Sequence, residues 1–233
     1  MATTQPTVTG STRGKLFVRP TWTTGIGSWL TTVDHKRLGI LYMLTAFTFM
    51  AAAATEAFIM RLQLLTPNMS VVNPEQFNQL FTMHGVTMVF LSIMPLGIGI
   101  ANYFVPLQIG ARDLAFPRLN AFGYWVYLFG GLMIYSSWFL GGAPDMGWVA
   151  YAPLTSLSHN PGLNVDFYMF GLFISGVGTT ATAMNLIVTM VNMRAPGMTM
   201  MRMPVFAWMM LITSFMIIFA FPPLTIAFLE IIL

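Results

Sequence analysis

Five long apolar stretches, each near the roughly 20 residues a helix needs to cross a bilayer, take up most of this 233-residue chain. They fall at about 38–62, 79–105, 120–140, 166–191 and 203–229. The hydrophobicity within each is continuous rather than alternating, which argues against strands. Charged residues make up only 7% of the chain against 56% hydrophobic, with mean hydropathy +0.73, too little polar surface to coat a water-soluble globule. The fold class read from these features is an all-α membrane protein with five transmembrane helices, preceded by a polar tail at 1–37 and continuing as a helical bundle at 38–233. There is no cysteine, so disulfides, thiolate metal sites and cysteine nucleophiles are excluded.

The basic residues orient the bundle. Arg13, Lys15, Arg19, Lys36 and Arg37 precede the first stretch, Arg112 and Arg118 lie between the second and third, and Arg194 and Arg202 between the fourth and fifth. By the positive-inside rule this side is the cytoplasm, and the N-terminus with it. The outer connections carry Glu75, Asp145 and His159 but no Lys or Arg; Arg61, at the outer end of the first stretch, is the exception. The pI of about 9.5 reflects these scattered flanking charges and gives no reason to expect nucleic acid. The tail holds no apolar run of signal-peptide length, so the first span is expected to be uncleaved. The last residues are still membrane-like, and the sequence reads as cut off.

Polar groups inside hydrocarbon need a reason. His84, in Thr82-Met83-His84-Gly85, is either an axial ligand to haem iron, with Gly85 letting a flat cofactor approach the backbone, or a histidine hydrogen-bonded to a neighbouring helix. Arg61 either snorkels to the headgroups or meets a cofactor's polar edge at the same depth. Asp113, in a short cytoplasmic loop, is a solvated carboxylate or a proton acceptor at a pore mouth, with Asn102 and Asn120 nearby to hold water. Ser175, Thr179, Thr182, Asn185 and Thr189 form a polar stripe on the fourth helix, suited to close helix packing or to a file of water. Glu56 is a second intramembrane carboxylate, five residues from Arg61 and so not its same-face partner; it receives no role. The 21 methionines read as packing filler, and His35 and His159 as interfacial.

Taken together, several segments resemble subunit I of the haem–copper terminal oxidases, closest to the bacterial cytochrome c oxidase (aa3-type) branch. They are Asp34-His-Lys-Arg-Leu-Gly39, Phe81-Thr-Met-His-Gly85, the run from Asn102 to Asn120, Gly147-Trp-Val-Ala-Tyr-Ala-Pro-Leu154 and Asn192-Met-Arg-Ala-Pro-Gly-Met-Thr199. The resemblance implies a bundle of about twelve helices, five of them here. It implies that His84 is an axial ligand of the low-spin haem (haem a) and that Arg61 contacts that haem's edge. Trp148 and Tyr151 belong to a motif beside the haem propionates. Asp113 is the mouth of the D proton pathway, with Asn102, Asn120, Ser175, Thr179 and Asn185 along it. The implied activity is reduction of dioxygen to water by cytochrome c with proton translocation, in a bacterial cell membrane and with further oxidase subunits. The high-spin haem, the copper and the second low-spin ligand are expected outside this stretch.

Three departures from the family pattern matter. Arg112 replaces a proline and is expected to lower the proton affinity of Asp113. Gly123 and Gly178 stand where a serine is common, and Ala121 where an asparagine is, so a different arrangement of water is expected. Competing readings are a catalytically incomplete assembly or scaffold protein derived from this subunit, a quinol-oxidising member, and an unrelated transporter or b-type cytochrome.

Overall fold

The computed structural model describes residues 25–232. Residues 25–32 and the remainder form separate units, and the first contains one short helix, α1 (Ile26–Leu30). Arg13, Lys15 and Arg19 lie outside the described residues.

In the second unit the long helices begin where polar residues cap them. Helix α2 (His35–Gln63) starts at Asp34, whose carboxylate accepts the Lys36 and Arg37 backbone N–H groups at 3.0 and 3.1 Å. Helix α3 (Pro74–Val86) starts at a reciprocal capping box: the Asn73 side chain accepts from Gln76 N, and the Gln76 side chain from Asn73 N. Both starts precede the apolar runs at 38 and 79 because capping groups are polar and lie outside any hydrophobic stretch. A seven-residue π-helical segment, Thr87–Ile93, joins α3 to α4 (Met94–Ile109), so the rod is continuous from Pro74 to Ile109. Gly110, at φ 71°, ends it in the left-handed conformation that glycine adopts without strain.

Helix α5 (Pro117–Ser136) follows a short loop and closes in a single 3₁₀ turn, Ser137–Phe139. Helix α6 (Asn164–Asn192) is capped by Arg194, whose guanidinium donates to the carbonyls of Met190, Val191 and Met198. Helix α7 (Val205–Ile232) runs on through Pro222 and Pro223. Four rods, α2, α3–α4, α6 and α7, are long and apolar enough to cross a membrane. The fifth, α5, has 20 residues, or about 30 Å of helix, and mixes Tyr, Trp and Gly among its apolar residues. The described residues contain no strand. This is an all-α membrane architecture.

Sequence-adjacent helices pack through glycine. On the α5–α6 seam, a Cβ at Gly171 would sit 2.7 Å from the Gly130 carbonyl oxygen and 2.6 Å from Ile134 Cγ1. A Cβ at Gly123 would sit 2.4 Å from Thr182 Oγ1, and one at Gly178 3.1 Å from the Gly123 carbonyl oxygen. Gly123 and Gly178, expected to change the arrangement of water where a serine is common, also serve helix packing, and Gly123 borders a water-sized cavity. The space a Cβ would take is filled by the facing helix, and small residues are what allow that approach. Gly171→Ala should therefore destabilise the folded protein by about 1–3 kcal/mol, because the backbone oxygen it meets cannot swing away. The control is Gly97→Ala, whose Cβ meets nothing within 4 Å and which should leave stability equal or higher. Thermal unfolding in detergent compares the two; equal midpoints would contradict the seam.

The core between α2, the π segment and α5 is aromatic. Tyr42 stacks on Tyr127 with ring centroids 5.5 Å apart, and Phe49 stacks on Tyr135 at 5.7 Å. The Tyr127 hydroxyl donates to the Leu91 carbonyl at 2.7 Å, a carbonyl of the π segment.

Candidate functional site

Most of the sequence-predicted residues lie toward two ends of the bundle, with Ser175 and Thr179 midway along α6. One end carries the loop from α2 to α3 and the long α5–α6 connection; the other carries the starts of α2, α5 and α7. Of the seven Lys and Arg among the described residues, six lie at or just beyond the second end, and Arg61 lies in the last turn of α2 at the first.

At the first end, His84 is fixed in one tautomer. Its Nδ1 lies 2.9 Å from the Ala53 carbonyl oxygen of α2. A carbonyl only accepts, so Nδ1 carries the hydrogen and Nε2 keeps its lone pair. A hydrogen bond of this kind, from the far ring nitrogen to a backbone carbonyl, is what orients an imidazole as a metal ligand. The ring is half-buried. His84 thus has the chemistry of an axial ligand and a hydrogen bond to a neighbouring helix at once; the two roles offered by the sequence are compatible.

The space beside it is used differently from the expectation. A Cβ on Gly85 would lie 2.6–2.9 Å from three atoms of Trp148. Gly85 admits that indole, so the residue taken as an opening for a flat cofactor seats a protein side chain instead. Trp148 is held by its own backbone: its carbonyl accepts the Tyr168 hydroxyl at 2.7 Å, and the preceding Gly147 N–H donates to Thr82 Oγ1 at 2.9 Å. Tyr151 is not drawn into this group; it is 69% exposed on the connecting loop. Arg61 is exposed.

Glu56, left without a role above, is only 7% exposed and lies one turn from Ala53 on α2. Its Oε1 accepts the Tyr135 hydroxyl at 3.1 Å, and the Tyr135 oxygen lies 2.9 Å from Thr87 Oγ1. The buried carboxylate was visible in the sequence as a charge inside an apolar run. Its partner Tyr135 was not, being 79 residues away with nothing local to mark it.

At the second end, Asp113 is half-buried between α4 and α5. Burial pushes its carboxyl above the ordinary aspartate value, while the Leu114 N–H, 2.7 Å from Oδ1, and the nearby His35 draw it back down. Asp34 adds to the rise. This corrects the expectation for Arg112. That side chain is exposed and is not among the groups that set Asp113; the net direction is upward, not downward. His35 is a second correction. Read as interfacial, it is 2% exposed, with Nδ1 donating to the Asn102 carbonyl at 2.9 Å. Its position at the polar start of a helix hid the fact that α4 covers it. His159, by contrast, is exposed, within reach of Ser156 and Ser158.

Asn102 and Asn120 are both fully buried, and neither side-chain amide has a hydrogen-bond partner among the described residues. Unpaired buried amides are costly, and water is their usual remedy. Further along, Ser175 Oγ is likewise unpartnered and lines, with Thr179, Tyr42 and Tyr127, a cavity of about 20 Å³, room for a water molecule. Thr179, Thr182 and Thr189 donate to carbonyls one turn back on α6, which leaves the Thr179 oxygen able to accept.

Asn185 and Thr189 do something the stripe did not announce. Asn185 grips the backbone of Phe116, accepting its N–H at 2.8 Å and donating to its carbonyl at 3.0 Å. Thr189 Oγ1 accepts the Ala115 N–H at 2.9 Å. The far end of the α6 stripe is a clamp on the loop that carries Asp113.

Residues 37–233 match the family described as Cytochrome C and Quinol oxidase polypeptide I. The chain is 52% identical over 206 residues to cytochrome c oxidase subunit 1 of Bacillus sp. strain PS3, covering 87% of this chain and 33% of that protein. It is 50% identical over 198 residues to the Bacillus subtilis protein of the same name, covering 85% and 32%. It is 49% identical over 222 residues to a putative cytochrome c oxidase subunit 1-beta of Streptomyces coelicolor, covering 95% and 37%. The chain spans about a third of the length of these relatives.

Proposed function

Since this chain belongs to the cytochrome c and quinol oxidase polypeptide I family, we propose that it acts within the catalytic subunit of a bacterial terminal oxidase that takes electrons from cytochrome c, reduces dioxygen to water and translocates protons. The observation that carries this reading is His84, held by Ala53 in the tautomer that offers Nε2 to a metal. In this reading His84 Nε2 would hold the iron of a low-spin haem a, Trp148 lies beside it against Gly85, and Arg61, in the last turn of α2, would be available to the haem's polar edge. The haem, when bound, supplies a one-electron carrier. Tyr151, exposed on the same loop, would be available to the haem's propionates. The copper and the high-spin haem take their ligands from the part of the relatives' length that this sequence does not span.

The other half of the proposal is a proton path that starts at Asp113. The raised proton affinity of that carboxyl suits a group that collects and passes on protons. Asn102, Asn120, Ser175 and Thr179 carry water onward, which their unpaired or accepting atoms support. Asn185 shapes the mouth by holding Phe116. The end rich in Lys and Arg faces the cytoplasm, N-terminus included, and the remaining oxidase subunits and lipid surround the bundle.

Oxygen uptake by membranes holding the assembled protein tests the activity. Reduced cytochrome c should sustain cyanide-sensitive uptake, and a quinol without cytochrome c should not. Uptake on quinol alone would favour the quinol-oxidising reading, and a haem-free assembled protein would favour a scaffold.

A further inference from the structure

Glu56 is a buried carboxylate that neither the haem-ligand role nor the proton path uses. It is fixed from three elements: it stands on α2, Tyr135 reaches it from α5, and Thr87 reaches Tyr135 from the first residue of the π segment. The hydrogen directions follow from the chemistry. The Tyr135 hydroxyl has one hydrogen and gives it to Glu56 Oε1, so Thr87 donates to Tyr135. Both hydrogens point toward the carboxyl, the arrangement that steadies a negative charge in a low-dielectric setting. The other oxygen, Oε2, is buried with no partner among the described residues.

The position of this group relates it to His84 through two adjacent turns. The His84 ring is tied to Ala53, and Glu56 follows Ala53 by three residues on the same helix. Thr87 follows His84 by three residues, where the helix changes from α to π. Such π insertions concentrate at functional sites. Arg61, five residues after Glu56, is turned by about 140° around the helix and is exposed, so it does not neutralise the carboxylate.

We infer that Glu56, oriented by Tyr135 and Thr87, holds a negative charge beside His84 and lowers the reduction potential of the haem that His84 binds. The inference rests on the reading of His84 as a haem ligand. An anion near the iron favours its oxidised, more positive form. In surroundings of effective dielectric about 20, a unit charge shifts such an equilibrium by roughly tenfold at a separation of about two helical turns. Glu56 and Tyr135 are positioning residues here, acting on the site through its field.

The test is a redox titration of the low-spin haem in the assembled oxidase, followed optically. Glu56→Gln keeps the size and an oxygen to accept from Tyr135 but removes the charge. It should favour the reduced form about tenfold, which for a one-electron couple raises the midpoint by about 59 mV. Tyr135→Phe removes the hydrogen-bond donor that steadies the charge, so it favours the neutral carboxyl and should raise the midpoint as well, by less. A purely structural role predicts no shift in Glu56→Gln, and an unchanged midpoint there would overturn the inference. If Glu56→Gln does not assemble, Tyr135→Phe decides: a raised midpoint supports the inference, and an unchanged or lowered one overturns it. His84→Ala, measured alongside, separates the two readings. A low-spin haem signal that survives it refutes the ligand role, whereas a lost signal with an unmoved Glu56→Gln midpoint refutes only the charge.

Discussion

In the assembled oxidase, His84→Ala is expected to abolish the low-spin haem's absorption band and to reduce oxygen uptake at least about 100-fold. The expectation follows from how little else His84 does. Its Nδ1 hydrogen goes to the Ala53 carbonyl, which lies in the middle of α2 and keeps its helical bond when the imidazole is gone. The ring is half-buried and not part of the aromatic core, so its removal leaves the packing of α2, α5 and the π segment in place. Spectral loss with a folded protein, checked by an unchanged elution profile and helical content, then reports the missing ligand. Reduced-minus-oxidised difference spectra and an oxygen electrode make the measurement. A wild-type band in the variant would remove the central support for haem binding.

Asp113→Asn is the second large effect: turnover is expected to fall about 100-fold and proton release to the outer side to stop. The same substitution should not harm the fold. The carboxyl titrates above its ordinary value of 3.8 in the folded protein. Folded protein therefore holds this proton more tightly than unfolded chain does. As pH rises through these values, ionisation costs the folded state stability, and at neutral pH that cost is present in full. Asparagine removes it and still accepts the Leu114 N–H through its Oδ1. Thermal midpoints at pH 7 should thus be equal to or above wild type while turnover collapses. Pumping at the normal rate would show that the protein draws its protons elsewhere.

The residues themselves show what a sequence discloses here and what it withholds. Long apolar runs announced the rods, since lipid demands that every backbone group be bonded within the segment. Their ends were less visible, because Asp34, Asn73 and Gln76 cap through polar atoms that a hydrophobic run excludes. The π segment at Thr87–Ile93 has no periodic signature of its own, and only the placement of Tyr127 and Tyr135 against it accounts for it. Glu56 stood out as an anomaly, yet its partners come from helices dozens of residues away. The two glycines read as serine replacements turned out to be contacts, since a missing side chain carries no information about what fills its place. Gly85 misled for the same reason. Asn185 looked like a polar group seeking water, and only the three-dimensional course of the α4–α5 loop reveals that the backbone of Phe116 already satisfies it.

That clamp also sets a timetable for biosynthesis. The loop after α4 relies on Asn185 and Thr189 for three of its backbone groups, across 69 to 74 residues of chain. At 5–20 residues per second, a ribosome needs roughly 3–14 s to make the first of those intervals. Until α6 has been synthesised and inserted, the N–H groups of Ala115 and Phe116 have only water to bond, and the loop is free to wander. The nascent membrane segment therefore carries an unshaped Asp113 loop while its later helices are still being made, and that loop takes its final form only when α6 arrives beside it.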